Sequence, residues 1–277
     1  MKKYLIAALL IACTAGCDTS EKDAGSLLRK AENSYTAGNL LMAKQQIDSI
    51  RTLYPKAYRV LRDGLQLMRR IEIAEQERTI AFCDSLLPIR QAAADSLKSG
   101  FILEKDTAYN ETGTYVYKTQ TVERNVQRCY VRSSVSEKGE MLLASVYYGP
   151  KPLDHTFLRL SIPDGTYVET PPVPYDGGNN YRFEDLGMTT EVVTYRADQA
   201  KNAVQFICAN PQERIKAEYK GGKPYTIYLS DPDKKAICAT YQLAAALNDI
   251  ENMQQEIGKS RKKLEYLQKK LATPEKE

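Results

Sequence analysis

The chain has 277 residues, with 39 Lys and Arg against 35 Asp and Glu, and its formal charge of +4 is no nucleic-acid footprint. One histidine and six cysteines, with no Cys-x-x-Cys pair, offer little from which to build a zinc site, and no Gly-x-Ser-x-Gly elbow is present. No catalytic residue, cofactor or metal is therefore expected, and a binding role stands ahead of an enzymatic one.

The first element is an address. Met1-Lys2-Lys3 is followed by an apolar run from Tyr4 to Ala12, then by Cys13-Thr14-Ala15-Gly16-Cys17. A positive start, a short apolar stretch and small residues before a cleavage point make a secretory signal, and the run is far shorter than the roughly 20 residues of a membrane-spanning helix. Thr14-Ala15-Gly16-Cys17 resembles the lipobox of bacterial lipoproteins. That resemblance implies cleavage before Cys17, lipid on its sulfur, and a mature chain of 261 of the 277 residues held at a membrane of the bacterial cell envelope. The outer membrane is favoured over the inner, and the leaflet is left open. Loss of Lys2 and Lys3 brings the formal charge to +2. Residues 17–26, polar and charged, read as a tether.

Residues 27–99 read as helical. Ala31, Gly38-Asn39, Ala43 and Tyr54-Pro55 place small side chains where two helices touch, a turn between them and a stop after them. These positions resemble one tetratricopeptide (TPR) unit, a lone helical hairpin because the next 34 residues do not repeat it. A long helix follows, with Tyr58, Leu61, Leu65 and Met68 as its apolar stripe and Pro88 expected to kink or end it.

Over residues 100–229 the period shifts toward two. Glu137-Lys138-Gly139-Glu140, Pro163-Asp164-Gly165 and Lys220 to Pro224 read as turns between strand pairs, and Val204 to Cys208 reads as a further strand. The expectation is eight or nine antiparallel strands, folded as a sandwich or partial barrel. Residues 230–272 read as one long helix. From Ile250 onward its stripe follows a 3,4 spacing, so it is expected to pack back antiparallel as a coiled-coil stalk. Residues 273–277 are a tail. The fold class is α+β.

Few residues invite a site. His155 follows Pro150 and Pro152 and is expected in an exposed loop, without a catalytic role. Asp176, Asn179 and Asn180, with Tyr175, form a candidate ligand loop, although Gly-Gly-Asn-Asn is also ordinary turn chemistry. Asp106-Thr107-Ala108 resembles an O-glycosylation acceptor motif of exported proteins, which makes Thr107 a candidate acceptor. Once Cys13 is cleaved away and Cys17 lipidated, Cys83, Cys129, Cys208 and Cys238 remain, free or in two disulfides. The expected function is that of a non-enzymatic binding or scaffolding lipoprotein. The alternative is a glycan-binding or glycan-processing one that uses the Tyr-rich strands. Its partners are the membrane, through the lipid on Cys17, and an envelope protein or glycan.

Overall fold

The structure, a computed structural model, describes residues 15–105 and 112–273. The expected signal segment up to Thr14, the acceptor Thr107 and the last four residues of the tail lie outside the described residues. Within them are five α-helices and ten antiparallel strands, an α+β chain. The chain divides into two compact units, residues 1–85 with 254–277, and residues 86–253.

The first unit is helical. Helix α1 (Ala15–Thr36) and helix α2 (Leu40–Leu53) are joined at Gly38, whose φ of +78° suits a residue without a Cβ. Asn39 caps α2 by accepting from the Met42 N–H at 3.3 Å. Helix α3 (Tyr58–Lys98) begins here and continues into the second unit. Two sequence expectations are corrected in these helices, and a third is narrowed. Residues 17–26, expected as a tether, belong to α1, because Ala24, Leu28 and Ala31 form one buried face at helical spacing. The buried seam of α3 is Val60, Leu67 and Ile71, with Ala57 just before it; of the expected stripe, Leu61 and Met68 pack partly buried against this core, while Tyr58 and Leu65 are exposed. Small residues explain the shift. A Cβ on Gly64 would sit 3.6 Å from Ile47, so the backbone itself fills the contact that a larger side chain would make. Pro88 lies inside α3 and does not end it.

The second unit is built on two sheets. Strands β1 (Phe101–Glu104), β2 (Thr114–Tyr117), β3 (Tyr130–Ser136), β4 (Met141–Gly149), β7 (Asn180–Asp185) and β8 (Met188–Arg196) form a six-stranded sheet in the order β1-β2-β3-β4-β8-β7. Strands β5 (Phe157–Ser161), β6 (Tyr167–Glu169), β9 (Lys216–Lys220) and β10 (Tyr225–Tyr228) form a four-stranded sheet in the order β10-β9-β5-β6. The alternation of β4 and β8 puts Leu143, Ser145 and Tyr147, and Glu191, Val193 and Tyr195, on the inner face. Leu158 and Leu160 of β5 and Ala217 and Tyr219 of β9 share that core. Tyr219 ties the sheets together: its hydroxyl donates to the carbonyls of Tyr130 and Val146, at 2.9 and 3.1 Å.

Helix α4 (Ala197–Ala209) replaces the strand expected over Val204 to Cys208. Ala200, Ala203, Val204 and Ile207 are buried at spacings of three and four, so the apparent alternation was one face of a helix seen over too short a window. Helix α5 (Asp231–Ala272) starts where the Ser230 hydroxyl accepts from the Asp233 N–H at 3.3 Å, and it continues into the first unit. A disulfide joins Cys208 at the end of α4 to Cys238 in α5, while Cys83 and Cys129 are free. Closing a separation of 30 residues removes unfolded-state entropy worth about 3–4 kcal/mol. Reduction, or Cys238→Ala, is expected to lower the stability of the β unit by about that amount in urea unfolding followed by near-ultraviolet circular dichroism.

Candidate functional sites: a buried polar knot and an open groove

The inner face of the β unit carries a chain of polar side chains. Ser145 Oγ lies 2.9 Å from His155 Nε2, and His155 Nδ1 lies 2.8 Å from Glu191 Oε2. The Glu191 carboxylate also accepts from the backbone N–H of Leu153 at 2.7 Å and of Asp154 at 2.9 Å. An ionised carboxylate only accepts, so Nδ1 donates to it. In the neutral ring Nε2 then accepts from Ser145, and the Tyr195 hydroxyl, 3.1 Å away, donates to Ser145. Burial alone pushes the Glu191 carboxyl up. The bonds from His155 and from the backbone outweigh it and hold the group below its ordinary value of 4.5.

His155 is thus not in an exposed loop. It is 1% exposed, and its ring stacks on that of Tyr219 with 5.0 Å between centroids. The prolines at 150 and 152 mark a crossing from one sheet to the other, and the ring swings into the core because Glu191 waits there. Serine, histidine and carboxylate occur here in the order of a hydrolytic triad, but Ser145 cannot act as its nucleophile. It is fully buried in the middle of β4, which pairs with β3 on one side and β8 on the other. Backbone N–H groups spent on two ladders cannot form an oxyanion hole beside it. The arrangement holds the two sheets in place.

The candidate ligand loop spends its polar groups on itself. Asp176 Oδ1 accepts from the N–H of Gly178 and of Asn180, both at 2.9 Å, and its Oδ2 accepts from the Asn179 amide at 3.1 Å. The N–H groups, that of Asn180 foremost, bring the Asp176 carboxyl down to about 2. Asn179 Oδ1 accepts from Arg196 Nε at 2.6 Å, and the buried Asn180 amide donates to the carbonyls of Val173 and His155. Asp176, Asn179 and Asn180 therefore lock the loop. Only Tyr175, with the Arg182 guanidinium 5.7 Å from its ring centre, stands free at the rim of a recess of about 170 Å³ above His155. Among the described residues no group of three His, Cys, Asp or Glu side chains is placed to hold a metal.

The larger opening is on the other side of the six-stranded sheet. The outward residues of β3, β4, β8 and β7 line a groove of about 400 Å³, bordered by the loop over residues 122–128 and by the tip of the β7–β8 hairpin. Ala144, Val146 and Val192 make its apolar surface, and Tyr148, Tyr181 and Phe183 bring aromatic rings. The hydroxyls of Ser134, Thr190, Thr194, Tyr148 and Tyr181 have no hydrogen-bond partner among the described residues. Arg128 and Arg132 also reach the groove, but each is already paired, with Asp233 and Glu104. The sequence pointed to the Tyr-rich strands as a glycan surface, but the residues it singled out for a ligand were those of the loop. The groove's own signal was the outward half of each strand, Leu142-Ala144-Val146-Tyr148 and Thr190-Val192-Thr194, which is too apolar for a sheet face left to water.

No family model, no curated protein and no solved structure matches this chain, so what it does is argued from these two sites alone.

Glu191→Gln tests the knot. Removing one member of a buried pair costs about 3 kcal/mol at neutral pH. Because the Glu191 carboxyl is lowered in the folded state, its contribution is present above the ordinary value of 4.5 and is lost as the pH falls through the lower folded value. The stability gap between wild type and Glu191→Gln, measured by urea unfolding, is expected to narrow as the pH is taken from about 7 to about 3. A gap independent of pH would show that the carboxylate charge is not what His155 and the amides hold.

Proposed function

We propose that the chain is a lipid-anchored envelope protein whose β unit binds a neutral glycan, without chemistry, in the groove on its six-stranded sheet. The observation that carries this reading is the pairing of aromatic rings with unspent neutral hydroxyls. A sugar ring presents C–H faces that pack on Tyr148, Tyr181 and Phe183, and hydroxyls that exchange hydrogen bonds with Ser134, Thr190 and Thr194. An acyl chain would also find apolar surface there, at Ala144, Val146 and Val192. It would, however, seal five hydroxyls away from water with no partner, at about 1–3 kcal/mol for each one left unsatisfied. The two arginines at the groove are neutralised by partners of their own, which favours an uncharged ligand over an anionic one.

The anchor rests on Thr14-Ala15-Gly16-Cys17, with lipid on Cys17 as the membrane link. The Cys208–Cys238 disulfide is in keeping with an exported, oxidising location. The helical unit is read as a TPR-like hairpin, with α3 and α5 paired antiparallel in the manner of a coiled-coil stalk. Supporting that reading, Arg261 and Lys263 of α5 pair with Asp84 and Glu72 of α3, at 3.8 and 3.6 Å, and Ile257 and Leu267 are buried.

The reading is tested on protein from the membrane fraction, titrated with a panel of neutral oligosaccharides and, in parallel, with palmitate. Val192→Arg, which fills the groove, is expected to abolish oligosaccharide binding, and Tyr148→Ala to weaken it about tenfold. Tyr175→Ala, in the locked loop, is expected to leave it unchanged, and Cys17→Ser to move the protein to the soluble fraction. Palmitate binding in place of oligosaccharide binding, or indifference to Val192→Arg, would overturn the groove assignment.

A further inference from the structure

Strand β7 is an edge of the six-stranded sheet, and its backbone shows which way each residue faces. The Thr194 N–H donates to the Asn179 carbonyl at 2.7 Å, so the backbone groups of Asn179, Tyr181, Phe183 and Asp185 point toward β8. Those of Asn180, Arg182 and Glu184 point away from the sheet. Asn180 is provided for: its N–H donates to Asp176 Oδ1, and its carbonyl accepts from the N–H groups of Asp176 and Gly177. The N–H and C=O of Arg182 and Glu184 have no partner among the described residues. Between them sits Phe183, 52% exposed.

We propose that this edge pairs antiparallel with β7 of a second copy of the chain, about a two-fold axis at Phe183. The register follows from the backbone. Outward-facing Arg182 meets outward-facing Glu184 of the second copy, and Glu184 meets its Arg182, giving two closely hydrogen-bonded pairs and four N–H···O bonds. Each pair sets a positive side chain directly opposite a negative one. The two Phe183 rings meet between them in the non-hydrogen-bonded position, where side chains lie closest. Pairing stops at Asn180, whose outward groups the loop already occupies.

Charged residues on a free edge ordinarily keep it from pairing. Here the two outward positions carry opposite signs, and Arg182, whose guanidinium already pairs with Asp154 of its own chain, has further donors to offer Glu184 of the second copy, so antiparallel self-pairing turns that barrier into complementarity. The other edges lack this feature. Strand β1 has one charged residue, Glu104, and β6 has one, Glu169, while β10 turns only Thr226 and Tyr228 outward, neither of them charged. The inference does not rest on the glycan reading.

So short a pairing is weak, and covalent trapping reads it better than sizing. In a non-hydrogen-bonded pair the Cα atoms lie about 4.5 Å apart, within reach of a disulfide. Phe183→Cys in the otherwise intact chain, mildly oxidised, is expected to give a cross-linked dimer well above the background of wild type, which carries free Cys83 and Cys129. Leu186→Cys is the control. Leu186 is 93% exposed, yet the two copies of this residue would stand about 20 Å apart across the two-fold axis, so no dimer is expected. Adding Glu184→Arg to Phe183→Cys should cut the dimer about tenfold, and adding Arg182→Glu as well should restore it. Equal cross-linking at 183 and 186, no effect of Glu184→Arg, or no rescue by the charge exchange would overturn the proposal.

Discussion

A carboxylate inside a β core must be fully satisfied or it unfolds the core, and Glu191 meets that demand by drawing the chain around itself. Its oxygens take the N–H groups of Leu153 and Asp154 and the Nδ1 proton of His155, all in the segment where the chain leaves the six-stranded sheet for the four-stranded one. Once His155 is fixed, its other nitrogen hydrogen-bonds the Ser145 hydroxyl, its ring stacks on Tyr219, and its carbonyl accepts from the Asn180 amide. Tyr219 in turn bonds the backbone of β3 and β4. Apolar packing would hold two sheets together without fixing how they are placed. A chain of directional bonds through one buried charge is a way to choose one placement, because any other leaves that charge without partners.

The same alternation that aims Glu191 and Ser145 inward aims Thr190, Val192, Ala144 and Val146 outward. Knot and groove are therefore the two faces of the same pair of strands, β4 and β8. The back of the groove's floor is bonded to the second sheet through Tyr219, which is the preorganisation that the proposed ligand site calls for. The candidate ligand loop belongs to this framework as well. With Asp176 accepting from two backbone N–H groups, it is built to hold its own shape and to anchor the start of β7.

Much of this architecture was legible where the pattern was local. The turns at Glu137 to Glu140, at Pro163 to Gly165 and at Lys220 to Pro224 each declared a hairpin, and Ser230 declared the start of α5. What stayed hidden was decided by partners distant in sequence. His155 beside two prolines looks like a surface loop, and only Glu191, 36 residues on, draws it inward. Gly64 and Ala57 do not count toward an apolar stripe, yet their smallness lets α3 press against its neighbours and moves the seam off Tyr58 and Leu65. Val204 to Cys208 alternates over five residues and is still a helix, because the face that matters is made with Ala200 and Ala203. The groove suffered from the same limit: each strand shows only two to four of its residues, and the site exists only when four strands lie side by side.

Hydrogen exchange at the amides of Leu153 and Asp154 tests the central claim most directly. If Glu191 holds this crossing, the two amides should exchange as slowly as those of the β4–β8 ladder, through the same opening of the whole β unit. Exchange at the rate of an exposed loop, with the β4–β8 ladder still protected, would contradict it, for the crossing would then be a surface connection and the knot a bystander.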